Sequence, residues 1–125
     1  MNQRGAWYRK FAVACSGIVW AVRTQNSFWV HLSVAAVVLT LGAWLRLEPW
    51  RWAAIVLTTT AVLYAEMINT SIEQLVKAVH PEHDDRIGRA LDIAAGAVLL
   101  AAVASVTVGL ITLGPPLWAR LSGPH

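Results

Sequence analysis

Glu66-Met67-Ile68-Asn69-Thr70-Ser71-Ile72-Glu73 is the stretch whose reading decides the fold of this chain. It lies inside a long apolar run that begins near Trp50. A charged side chain in the hydrocarbon of a bilayer costs roughly 2.5–3.5 kcal/mol even on the lenient insertion scale, so carboxylates there are functional or paired. Glu66, Asn69 and Glu73 stand at i, i+3 and i+7, which is one stripe of a helix. The run therefore reads as a membrane helix with a polar stripe, and the rest of the chain has to supply what faces it.

The bulk composition agrees. The chain has 125 residues, enough for one domain, and is 57% hydrophobic with only 14% charged residues. Its apolar stretches reach the roughly 20 helical residues that a bilayer requires. The formal charge is +3, and the basic residues gather near the expected membrane ends, a pattern of orientation and lipid contact that argues against nucleic acid as a partner. Cys15 is the single cysteine, so no intrachain disulfide forms. Arg9, Lys10, Arg23 and Gln25 interrupt the N-terminal region, so no cleaved signal peptide is expected.

Residues 1–5 read as a frayed tail. From about 6 to 24, Trp7, Phe11, Ala14, Ile18, Ala21 and Val22 form an apolar stripe with Arg9, Lys10 and Arg23 elsewhere, the pattern of an amphipathic helix lying on the membrane surface. The first membrane helix is expected over about 28–46, with Trp29 and Trp44 roughly 22 Å apart as interfacial anchors. A turn at 46–52 follows, and Pro49 suits the first turn of the second membrane helix, expected over about 50–79. Measured from Trp50, Glu66 lies about 24 Å and Glu73 about 34 Å along that helix. In a hydrocarbon core of about 30 Å, Glu66 then falls just inside the far leaflet and Glu73 at its aqueous edge. Pro81 ends the second membrane helix, and His80–Asp85 forms a polar connection. The third membrane helix is expected over about 88–113, with Ala94, Ala95, Gly96 and Ala97 permitting close helix approach. Gly114-Pro115-Pro116 is expected to stop it, with Trp118 and Arg120 as a terminal anchor.

Arg4, Arg9, Lys10, Arg23, Lys77, Arg86 and Arg89 fall on one side of this arrangement, and Arg46, Arg51 and Arg120 on the other. The excess places the N-terminus and the 77–90 connection in the cytoplasm. The expected fold is thus an all-α integral membrane protein, a surface helix plus three transmembrane helices in one domain. Three spans enclose little by themselves, so a homo-oligomer is the natural inference. A carboxylate just below the cytoplasmic interface is placed to take a proton from a lipid hydroxyl. One at the aqueous edge is placed to hold Mg²⁺ with phosphate oxygens. Together they are a minimal set for moving a phosphoryl group onto a lipid.

Glu66-x-x-Asn69-Thr70-x-Ile72-Glu73 and Asp92-x-Ala94-Ala95-Gly96-Ala97-Val98 resemble the prokaryotic diacylglycerol kinase family, which includes undecaprenol kinases. Phe11-x-x-Ala14-x-x-Gly17-Ile18 and Asn26-x-Phe28-x-x-His31 are similar to its surface helix and its entry into the first span, so the resemblance covers about residues 9–105. It implies a homotrimeric bundle in a bacterial plasma (inner) membrane, with active sites shared between subunits and a MgATP-dependent phosphorylation of a membrane lipid. Glu66 matches the general base. Asn69, Phe28, His31 and Ala95 join Glu66 as the substrate-binding set. Glu73 matches a metal and ATP ligand, Asp92 an ATP-site residue, and Glu82, His83 and Asp84 the connection that contacts the nucleotide.

The chain departs from the family pattern at four places. Gln25 replaces a second metal-binding glutamate and brings an oxygen without a charge, which lowers affinity for Mg²⁺. Leu91 replaces a lysine, Lys77 replaces an aspartate, and Trp29 replaces an arginine. Lys77 is i+4 from Glu73, placed to pair with it or to take over as the phosphate-facing cation of the ATP site. These departures leave a second function open, a catalytically weak or inactive relative that binds lipid or serves as an assembly subunit. A transporter-like oligomer that uses Glu66 for coupling is the third. His31, His80, His83 and His125 have no metal-ligand spacing that suggests zinc.

Overall fold

A chain crossing lipid has to satisfy its backbone hydrogen bonds internally, and this one does so as helices. The computed structural model describes residues 3–123. Over these residues the elements are α1 Gln3–Thr24, α2 Asn26–Leu45, α3 Pro49–Val79 and α4 Asp85–Leu121. The helices α2, α3 and α4 are each long and apolar enough to cross a membrane.

The break between α1 and α2 is a single residue. Gln25 adopts extended dihedrals (φ −106°, ψ 114°), yet its N–H still donates to Ala21 and its carbonyl accepts from Phe28. The chain therefore changes direction there without losing backbone pairing. The turn after α2 is closed by Arg46 in the left-handed region (φ 53°). Arg46 N–H donates to Ala43 and Leu47 N–H to Gly42, the double bond of a Schellman cap. Pro49 then opens α3, where its missing N–H costs nothing.

Trp52 of α3 packs closely against Gly42 of α2. A Cβ at position 42 would stand 2.9 Å from Trp52 Cη2 and 3.1 Å from Leu47 Cδ1. Gly42→Ala is accordingly expected to cost about 1–3 kcal/mol by overpacking, read as a lowered Tm of the purified protein in micelles. An unchanged Tm would mean that Trp52 swings away freely.

The antiparallel pair α3–α4 makes the most extensive contact. The helix α2 lies against both, and α1 touches α2 and α3. Within α1 only Ala21 is buried. The core is small: Ala21, Phe28, Leu47, Ile55, Val62 and Ala94, with the polar Glu66, Thr70 and Thr112 among them. Large apolar side chains on all three long helices are exposed, including Val34, Leu57 and Leu100. Such a surface is a liability in water and an ordinary one in lipid.

Two expectations need correction. Residues 3–5 are helical rather than frayed, because nothing between Gln3 and Ala6 is strong enough to stop a helix; residues 1–2 lie outside the described residues. More consequentially, α4 does not stop at Gly114-Pro115-Pro116 but continues to Leu121 with both prolines inside it. The prolines remove the donors that would serve the carbonyls of Ile111 and Thr112, four residues earlier. Arg51 of α3 supplies the missing hydrogens: its Nη1 donates to Ile111 O at 3.2 Å and to Thr112 O at 2.8 Å. Its Nε also meets Glu48 Oε1 at 3.4 Å, and its guanidinium lies over the Trp50 ring. At the same end of the molecule Arg120 lies over Trp44, tying the end of α4 to the end of α2.

Candidate functional site

Glu66 sits in the fifth turn or so of α3 and is only 7% exposed. Its two carboxylate oxygens are both taken from α2. Ser27 Oγ donates to Oε2 at 3.2 Å, and His31 Nε2 stands 3.0 Å from Oε1. A carboxylate only accepts, so the bond to His31 requires the hydrogen on Nε2. Ser27 and His31 are i and i+4, hence on one face of α2, and Ser27 lies in that helix's first turn. The partial positive end of α2 thus also faces the carboxylate.

One turn further along α3, Asn69 Nδ2 donates to Glu73 Oε1 at 3.0 Å. Asn69 Oδ1 is buried and has no hydrogen-bond partner among the described residues. The polar stripe therefore divides into two parts. Glu66 is locked to α2, while Asn69 and Glu73 form a pair with spare oxygen donors.

Two cavities flank the stripe. The first, about 270 Å³, lies between α2, α3 and α4; its walls include Val34, Thr58, Val62, Leu63 and Val106, and His31 is its most polar residue. The second, about 240 Å³, lies between the last turn of α3, the connection and the start of α4, and is lined by Lys77, His80, Glu82, His83, Asp84 and Leu91 among others. Asp84 caps α4 by accepting from Arg86 N–H at 2.8 Å. That bond, aided by the Arg86 guanidinium, holds the Asp84 carboxyl below the usual carboxylate range. His80 meets Glu82 at 3.6 Å, and His83 meets Asp85 at 3.0 Å.

Of the residues expected from the sequence, the structure brings together Glu66 with His31, Asn69 with Glu73, and Lys77 with Glu82, His83 and Asp84. Others stand apart. The Gln25 amide donates to Thr24 Oγ1 at 3.3 Å and makes no hydrogen bond to Glu73. Lys77 makes no ion pair with Glu73, whose Oε1 is occupied by Asn69. Phe28 is a core side chain, 2% exposed, and does not line the cavity beside His31. Asp92 and Ala95 are exposed on α4. His125 lies outside the described residues. The partner that sequence reasoning missed is Ser27, an unremarked position inside Asn26-x-Phe28-x-x-His31. Its placement four residues before His31 was the available signal.

Among the described residues, no three His, Cys, Asp or Glu side chains gather tightly enough to hold a metal as an all-protein cage. The donor set nevertheless fits a divalent cation that arrives with phosphate and water. Glu73 and the unpartnered Asn69 Oδ1 are hard oxygen ligands, and Mg²⁺ is usually held by one or two carboxylates plus substrate phosphates.

Comparison with known proteins bears on the site. Residues 12–113 match the family described as prokaryotic diacylglycerol kinase. A diacylglycerol kinase of Synechocystis sp. is 39% identical over 108 residues, which is 86% of this chain and 62% of that protein. An undecaprenol kinase of Bacillus subtilis is 33% identical over 116 residues, 93% of this chain and 94% of that one. The chain thus spans somewhat less than two thirds of the Synechocystis relative and nearly all of the Bacillus one.

Proposed function

The chain belongs to the prokaryotic diacylglycerol kinase family, and from that premise we propose that it is a multi-pass membrane lipid kinase that transfers the γ-phosphoryl group of ATP to the hydroxyl of a membrane lipid, diacylglycerol or undecaprenol. The observation that carries this reading is the buried Glu66 carboxylate, held by Ser27 and by His31, which itself lines an apolar cavity. A lipid chain in that cavity would bring its hydroxyl to the His31 end, within reach of Glu66.

In this reading Glu66 accepts the hydroxyl proton as the lipid oxygen attacks the γ-phosphorus, and the bond from that phosphorus to the ADP leaving oxygen breaks. Glu73 and Asn69 would hold the nucleotide's Mg²⁺, which would supply neutralisation of phosphate charge. The connection residues Glu82, His83 and Asp84, with Asp92, contact the nucleotide. The active unit is a homotrimer in a bacterial inner membrane, with the N-terminus and connection cytoplasmic and α1 on the membrane surface. Asn69 Oδ1, buried without a donor in one chain, supports a site completed by another group.

The test is a radiolabelled ATP assay on the purified protein in mixed micelles, offering diacylglycerol and undecaprenol separately. Label in one lipid is the expected result and names the acceptor. No label from folded protein would favour the alternative, a lipid-binding or assembly subunit, for which the local Gln25–Thr24 bond is the specific support.

Lys77 completes the reading. It shares the connection cavity with Leu91 and has no ion-pair partner among the described residues, which suits a cation that meets phosphate. Lys77→Ala is expected to raise the ATP KM up to about tenfold, the ~1.4 kcal/mol of one charge-assisted contact, with the lipid KM unchanged. An unchanged ATP KM would remove Lys77 from the site.

A further inference from the structure

We propose that His31 is a positioning residue for Glu66 rather than a determinant of lipid affinity: its Nε2–H, donated across the α2–α3 interface and seconded by Ser27, fixes the carboxylate beside the apolar cavity. The inference rests on the lipid-kinase reading for its kinetic consequence, while the contact itself stands on geometry.

His31 borders two environments. One edge of its ring meets Glu66 Oε1 at 3.0 Å, and the ring also lines the cavity. Its side chain is 23% exposed against 9% for Glu66, and of the two only His31 lines the cavity. Ser27, one turn earlier on the same face, holds the second oxygen. Two donors from one rigid helix fix both the rotation and the tilt of a carboxylate, which a single bond would leave free to swing on its flexible stem. Each oxygen keeps a second lone pair that neither of these bonds uses.

A positioning role and a direct lipid contact predict different kinetics. Loss of positioning lowers kcat and leaves the lipid KM unchanged, because misplacing a reacting group by about 1 Å costs up to roughly 100-fold in rate. Loss of a lipid contact raises the KM and leaves kcat unchanged. His31→Leu keeps apolar bulk without a donor. His31→Gln keeps an amide N–H near the position of Nε2, so it is expected to recover most of the kcat that His31→Leu loses.

The experiment compares kcat and lipid KM for wild type, His31→Leu, His31→Gln and Ser27→Ala in mixed micelles. It adds ¹⁵N-histidine NMR of wild type and Glu66→Gln, with the His31 ring assigned by its absence in His31→Gln. The expected results are a kcat loss of about 10- to 100-fold in His31→Leu, recovery in His31→Gln, a smaller loss in Ser27→Ala, and an Nε2–H signal that moves in Glu66→Gln. A loss confined to KM, or a His31→Gln variant as slow as His31→Leu although folded, would overturn the proposal. So would a ring signal indifferent to Glu66→Gln. A wild type without kinase activity would sink the lipid-kinase reading alone, because the NMR still decides whether His31 holds Glu66.

Discussion

Glu66→Gln is expected to lower phosphoryl transfer to lipid by about 10²- to 10⁴-fold, the range contributed by a positioned general base. The side chain keeps its size and loses only the ability to take a proton. Both of its present partners remain answerable, because the amide oxygen accepts from His31 Nε2 and the amide NH₂ donates to Ser27 Oγ, whose hydroxyl rotates to accept. The variant thus loses the base while its two contacts to α2 can be kept. The measurement is initial-rate transfer of labelled phosphate to the preferred lipid, with folding checked by intrinsic tryptophan fluorescence. A variant within a few fold of wild type would remove Glu66 from the chemistry and leave it as a helix-to-helix polar contact.

Arg51→Ala is expected to destabilise the fold by about 2–3 kcal/mol, with a lowered Tm in micelles and little effect on the lipid KM. The reason is local. Pro115 and Pro116 leave the carbonyls of Ile111 and Thr112 without helical donors, and Arg51 Nη1 serves both. Thr112 is only 1% exposed, so water has poor access to this part of the helix. Removing the guanidinium leaves the Thr112 carbonyl unpaired beside a buried side chain, the expensive way to lose a hydrogen bond, and frees the exposed Ile111 carbonyl as well. The same logic predicts its own rescue. In a Pro115→Ala, Pro116→Ala background the helix supplies its own N–H groups at 115 and 116, so Arg51→Ala should cost at least about 1 kcal/mol less there. Additive losses across that double-mutant cycle would mean that Arg51 acts through Glu48 and Trp50 instead.

The polar stripe was legible because carboxylates inside an apolar run are rare enough to be informative by themselves, and their i, i+3, i+7 spacing needs only helical periodicity. The second span was legible to its ends, Pro49 and Val79, because Pro49 and Pro81 punctuate it. The prolines of α4 misled for the same reason that those two informed. Proline ends a helix unless some other group answers the carbonyls it orphans, and that group, Arg51, lies about sixty residues away in sequence. Ser27 and Phe28 were opaque in a related way. Adjacent residues on a helix face about 100° apart, so one of them reaches Glu66 while the other fills the core, and sequence does not say which.

What this sequence determined alone is what depends on short-range pattern: three helices able to span a membrane, an N-terminal helix before them, and a stripe holding Glu66, Asn69 and Glu73. Those follow from 3.6-residue periodicity, the length an apolar helix needs in lipid, and the cost of charge there. What only the tertiary structure decided is how each polar group is answered. It joins Glu66 to Ser27 and His31, Asn69 to Glu73 instead of Lys77 to Glu73, and Arg51 to the proline-freed carbonyls. Each choice depends on which faces of different helices meet, and a hydrogen bond formed over about 3 Å has no counterpart in the local pattern of either partner.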